Sequence, residues 1–248
     1  MKKLNIKRIR RAYLMPILTS IKNILNVFKK YALPDYNNPP SIYQMFVEEE
    51  AEKCFQHFKK KFKSSLFLKT NQLRVHAIKK AIENDEGINQ TYIEFGVFSG
   101  TSINQFSKFL QNKTIYGFDS FEGLKEDWIG TSVVKGTFNL KKKIPKLNKN
   151  VSPVLGWIEN TLPIFLSEKK PSIVFAHIDV DTYQTSKFIL QNIKPYLIKN
   201  SVLLFDELYN FPGWDEGEYK ALKETFNENE YQFISFALNG QQAAIQIL

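Results

Sequence analysis

From Gly87 onward, short apolar runs alternate with helical stretches, and this rhythm constrains the fold more than any other feature of the 248-residue chain. Strand candidates are Tyr92 to Phe95, Thr114 to Phe118, Val151 to Leu155, Ile173 to Ile178, Val202 to Phe205, Gln232 to Ala237 and Ala243 to Leu248. Between them lie helical patterns at Thr101 to Gln111, Leu162 to Lys169, Thr185 to Ile193 and Glu218 to Phe226. Strands joined through helices are parallel, so the expected fold is α/β with a mainly parallel sheet. In such sheets ligands sit at the carboxyl ends of the strands. The chemistry is therefore expected where the apolar runs stop.

Upstream of this region the chain is helical and unevenly charged. The formal net charge is +9, but residues 1–30 hold nine Lys or Arg and no acid, which leaves 25 basic and 25 acidic side chains in the other 218 residues. An electroneutral body argues against nucleic acid as substrate. The basic segment reads as an amphipathic helix over residues 1–32, with Leu14, Ile17, Leu18, Ile21, Ile24, Leu25 and Phe28 on one face. Lys22 and Asn23 interrupt it too early for a membrane span. Such a helix suits peripheral docking on an anionic inner-membrane surface, or packing on a second subunit in a homo-oligomer. Residues 33–86 form a helical extension or substrate lid: a linker rich in Pro and Asn, a helix capped by Ser41 over Ile42 to Phe62, and another from Thr70 or Asn71 to Glu83. Residues 87–248 form the ligand-binding domain. One cysteine, Cys54, excludes an internal disulfide framework and fits a cytoplasmic protein.

Four clusters carry the chemical signal. The first runs from Glu94 through Gly96 and Gly100 to Thr101 and Ser102, a strand end opening a helix, where glycines permit close approach of a ligand. Phe98 stands where a dinucleotide turn would have its second glycine. The second is Tyr116-Gly-Phe-Asp119; an acid at the next strand end can accept hydrogen bonds from a ribose diol. The third is His177-Ile-Asp179-Val-Asp181, and the fourth Phe205-Asp206-Glu207. Carboxylates and an imidazole gathered at adjacent strand ends are costly to bury idle, and oxygen ligands suit a hard cation such as Mg²⁺. His57 and His76, with no histidine or acid four residues on, read as surface or core histidines. Phe211-Pro-Gly-Trp214 reads either as a pocket wall or as a packed turn.

In this order the motifs Tyr92 to Gly100, Tyr116 to Leu124, Gly156 to Pro163, His177 to Tyr183 and Phe205 to Glu207 resemble class I S-adenosylmethionine-dependent methyltransferases, and most of all the macrocin O-methyltransferase family. The resemblance implies a Rossmann-like sheet of seven strands with the last one antiparallel. It implies that Glu94, Gly96, Gly100 and Ser102 hold the methionine moiety of S-adenosyl-L-methionine, that Asp119 holds its ribose, and that Trp157 and Ile158 lie beside the adenine. It places Asp179, Asp206 and Glu207 at the positions of a divalent cation, with Glu207 departing from the usual second Asp.

The reaction this implies is transfer of a methyl group to a hydroxyl of a small molecule or glycan, with Asp181 or His177 as base, or Asp179 where no metal is bound. Two other readings compete with it. One is a nicotinamide oxidoreductase of the same broad fold, which Phe98 and the acid cluster oppose; the other is a membrane-surface module driven by the basic tail.

Overall fold

The structure, a computed structural model, describes residues 40–85, 87 and 89–248. The basic helix expected over residues 1–32, and its membrane contact, lie outside the described residues. Two compact units are distinguished, 1–46 and 47–248. Of the first, only residues 40–46 are described: the start of helix α1 (Ile42–Phe62), where the Ser41 hydroxyl accepts the Gln44 N–H at 3.1 Å.

The second unit continues α1 and then runs β1 (Leu66–Leu68), α2 (Thr70–Glu83), β2 (Gln90–Phe95), α3 (Thr101–Ser107), β3 (Ile115–Asp119), β4 (Val151–Leu155), α4 (Ile158–Lys169), β5 (Ser172–Ile178), α5 (Tyr183–Ile193), β6 (Leu197–Phe205), α6 (Glu218–Thr225), β7 (Tyr231–Ala237) and β8 (Ala243–Ile247). The sheet order is β1-β7-β8-β6-β5-β2-β3-β4. All pairings are parallel except those of β8, which lies antiparallel to both β6 and β7. The expected antiparallel last strand is therefore present. The sheet has eight strands rather than seven, because β1 adds to the free side of β7.

Both faces are covered, which is why the central strands read as continuous apolar runs. On one face Ile93, Phe95, Phe118, Ala176, Ile178, Leu203 and Phe205 pack against residues of α1, α4, α5 and α6. On the other, Tyr92, Phe175, Val202 and Leu204 meet Leu73, Ala77, Ile78 and Ala81 of α2 and Ile103 and Phe106 of α3. The four α2 side chains are wholly buried, so this helix is part of the sheet's own packing. Helix α1 contributes Cys54 and Phe58, one turn apart. Phe58 is wholly buried among the rings of Tyr209, Trp214, Tyr219, Phe233 and Phe236, whose centroids lie 5.0–5.9 Å away. Aromatic pairs at such separations add to the burial of their area. His57 bonds the Tyr219 hydroxyl and His76 lies 3.3 Å from the Ser235 hydroxyl, so both histidines serve packing, as expected.

Candidate active site

A cavity of about 330 Å³ opens at the carboxyl ends of β2, β3, β5 and β6, a size typical of small-molecule sites (~300–1,000 Å³). Gly96, Ser102, Asp119, Trp157, Ile158, Asp179, Asp181, Asp206 and Glu207 all line it. Glu94, Gly100 and His177 do not.

The two glycines of the first cluster are required by the fold itself. A Cβ on Gly96 would sit 1.6 Å from the Asp179 carbonyl oxygen, and one on Gly100 would sit 2.9 Å from Leu147 Cδ2; both residues have φ near +80°. Gly96 thus lets β2 and β5 end side by side. It also lines the cavity.

Asp119 is fixed by main chain. Its Oδ2 accepts the N–H groups of Val97 and Phe98 at 2.8 and 2.7 Å, and its Oδ1 that of Phe121 at 2.6 Å. A carboxylate has about four lone-pair sites, so room remains for one further donor rather than both hydroxyls of a diol. Nearby, Lys125 lies 4.6 Å above the Trp157 ring and 2.5 Å from Glu159.

A polar chain crosses the other half of the sheet. Ser102 donates to Glu94 Oε1 at 3.0 Å, Glu94 Oε2 meets His177 Nδ1 at 3.0 Å, and His177 Nε2 meets Asp206 Oδ1 at 3.3 Å. Arg74 of α2 donates to the same Asp206 oxygen at 2.9 Å, and Gln242 donates to Oδ2 at 3.1 Å. Burial alone would favour neutral imidazole, but hydrogen bonds to Asp206 and Glu94 outweigh it and push His177 up to about 10. Burial would likewise raise Asp206, yet His177 and Arg74 hold it well below the usual carboxylate range.

Three expectations change as a result. His177 is wholly buried with both ring nitrogens engaged, so it is an internal cation rather than a base facing substrate. Glu94, also wholly buried, is bound to Ser102 and His177 instead of facing the cavity. Asp206, expected as a cation ligand, has three protein partners already.

Asp181 is the carboxylate best placed for proton transfer. It lies just after β5 with φ +61°, lines the cavity, and is pushed up to about 7 by burial and then by the charge of Asp206. Donor oxygens of Asp179, Asp181 and Glu207 lie within 4.8 Å of one another, and so do donor atoms of His177, Asp179 and Asp206. Glu207 Oε2 is buried without a partner, and so is Oε1 of Glu218, whose Oε2 accepts the Glu207 N–H at 3.1 Å. Burial drives both of these glutamates upward from their ordinary values. An orphaned, buried carboxylate oxygen beside two more acids fits a hard cation.

The reading from sequence missed Arg74 and Glu218. Arg74 does carry a signal, since it is the only arginine after Arg11. Trp128 also lines the cavity and stacks edge-on at 5.9 Å against Phe211; Phe211 and Trp214 are buried, so that turn packs while its neighbour forms the wall.

Residues 93–208 match the family model described as a methyltransferase domain. This chain is an enzyme with the methyltransferase fold. Among solved structures, the calicheamicin methyltransferase CalS11 superposes with a TM-score of 0.57 at 20% identity, covering 84% of this chain and 94% of that one. An apo structure of CalS11, described as a TDP-rhamnose 3′-O-methyltransferase, gives 0.51 at 21% identity, over 84% and 96%. The O-methyltransferase NovP gives 0.54 at 16% identity, over 71% and 78%. At these identities the likeness is one of fold. No curated protein matches the sequence. Among the described residues no helix is long and apolar enough to cross a membrane.

Proposed function

We propose that this methyltransferase-fold enzyme transfers the methyl group of S-adenosyl-L-methionine to a hydroxyl of a small molecule or sugar, within the macrocin O-methyltransferase group. One observation carries the reading: a single cavity has a backbone-held carboxylate and an indole at one end, Asp119 and Trp157, and the cavity-lining Asp181 at the other. The first end suits the ribose and adenine of the cofactor, the second an acceptor proton. The description of CalS11 as a calicheamicin and TDP-rhamnose 3′-O-methyltransferase supports sugar acceptors as the first to try.

The sulfonium methyl is already activated, so the protein aligns an acceptor oxygen with the S–CH₃ bond and takes its proton. Asp181 accepts that proton. Trp128 lines the cavity and neighbours Asp181, so it walls the space for the acceptor. A divalent cation fits Asp179 and Glu207, with Asp181 in reach and Asp206 committed elsewhere. Bound there, Mg²⁺ would hold acceptor oxygens and lower the pKa of one. Residues 1–32 remain proposed as a membrane or subunit anchor; of the extension expected over 33–86, α2 belongs to the packing of the sheet and reaches the cavity through Arg74.

Titration calorimetry with S-adenosylhomocysteine and with NAD tests the cofactor; binding of NAD alone would overturn the reading. Methyl transfer from labelled S-adenosylmethionine to a panel of nucleotide-sugars, glycans and catechols, with and without chelator, then identifies the acceptor class and the need for metal.

A further inference from the structure

Arg74 is the sole arginine after Arg11 in a chain that otherwise uses lysine for its positive charges. It reaches from α2 into the cavity wall, only 14% of its side chain is exposed, and its guanidinium donates to Asp206. A lysine would neutralise Asp206 as a point charge. What arginine adds is a rigid planar set of five N–H donors that can grip a second carboxylate with two parallel bonds. One bond to Asp206 leaves most of that set over.

The surrounding charges decide which second anion fits. Beside Arg74 the wall carries Asp179, Asp181, Asp206 and Glu207. The other cation of the wall, Lys125, lies at the opposite end over Trp157 and is paired with Glu159. S-adenosylmethionine brings a sulfonium and an ammonium, which acids attract, and one carboxylate, which acids repel. At this end of the cavity the counter-charge for that carboxylate is Arg74. Ser102 and Glu94, which the family resemblance assigned to the methionine moiety, are hydrogen-bonded to each other, and Glu94 also to His177. Resting on the methyltransferase reading, we propose that Arg74 binds the α-carboxylate of the cofactor while keeping its contact with Asp206.

Titration calorimetry on the full chain tests this with S-adenosylhomocysteine and with its decarboxylated analogue, which retains adenosine, thioether and amine and lacks only the carboxylate. The unsubstituted protein is expected to bind S-adenosylhomocysteine about 30-fold more tightly than the analogue, the factor of one charged hydrogen-bonded contact. Arg74→Gln is expected to remove about that factor for S-adenosylhomocysteine and to change the analogue by less than about threefold. Arg74→Lys keeps the charge beside Asp206, so it folds even where the Gln variant does not, and is expected to lose an intermediate factor. Equal losses for both ligands, or an unsubstituted protein that binds the two alike, would overturn the assignment. Failure of the unsubstituted protein to bind either ligand would instead overturn the methyltransferase reading on which it rests.

Discussion

At the β3 and β4 end of the cavity, Asp119 is held by three main-chain N–H groups. At the β5 and β6 end, Glu94, Asp179, Asp181, Asp206, Glu207 and Glu218 meet Arg74 and His177. The first end is shaped by turns of the backbone, whose donors do not titrate. The second is held by charge balance, so its structure depends on protonation and on any cation that enters. This division suits a fixed grip on the part of a cofactor that does not react, and adjustable electrostatics where a proton must move.

The largest effect expected is at the charged end. Asp181→Asn should lower kcat by about 10²- to 10⁴-fold, the range of a lost general base, with S-adenosylhomocysteine affinity unchanged in calorimetry. Retained turnover would move the base elsewhere, Asp179 being next. His177→Ala leaves Glu94 and Asp206 facing each other without their shared cation. It should cost about 3–5 kcal/mol in urea unfolding, as for other broken buried pairs, whereas a loss under about 1 kcal/mol would show that the chain of contacts is incidental.

Asp119→Asn probes the other end. It should weaken S-adenosylhomocysteine about tenfold, because the charged acceptor becomes a neutral one, with little change in kcat at saturating cofactor. A kcat effect as large as that of Asp181→Asn would erase the contrast between the ends. The smallest effect is in pH. Asp181 acts as a base when ionised, so kcat/KM should rise with unit slope below about 7 and level off above it. Because its folded-state pKa is raised, the folded chain binds more protons than the unfolded one between the ordinary Asp value and about 7; this residue's contribution to stability therefore declines as pH rises through that window. His177 behaves likewise at higher pH, its contribution being complete below its unfolded value and lost as pH approaches about 10.

Much of this architecture was legible in the residues, and the exceptions have physical causes. Helix α1 was readable at both ends because Ser41 caps it and its glutamates precede the lysines of its last turn. Strand β1 was not: Leu66 and Phe67 are largely exposed, and it joins the sheet by main-chain pairing that leaves no periodicity. The start of β6 was hidden by Lys199 and by Asn200 at φ +66°, which break the apolar run. Pro163, the sixth residue of α4, concealed the turn that precedes it, because proline is favoured where a helix begins. In the site, the acids at strand ends were visible because charge at the end of an apolar run is unusual. Which of them are neutralised was not visible, since Arg74 and Gln242 come from elements far away in sequence and meet Asp206 only once the sheet is formed.

The place of β8 has a consequence for how the chain assembles. Strand β7 joins the rest of the sheet through β8, and β1 joins through β7. A nascent chain stopped before Ala243 therefore holds two strands, β1 and β7, that can pair only with each other and not with the rest of the sheet, and β1 waits for a segment made long after it. Contacts so distant in sequence form late. Until they do, the unpaired edge of β6 is open to other chains, a window in which a chaperone would matter more for this protein than its final stability suggests.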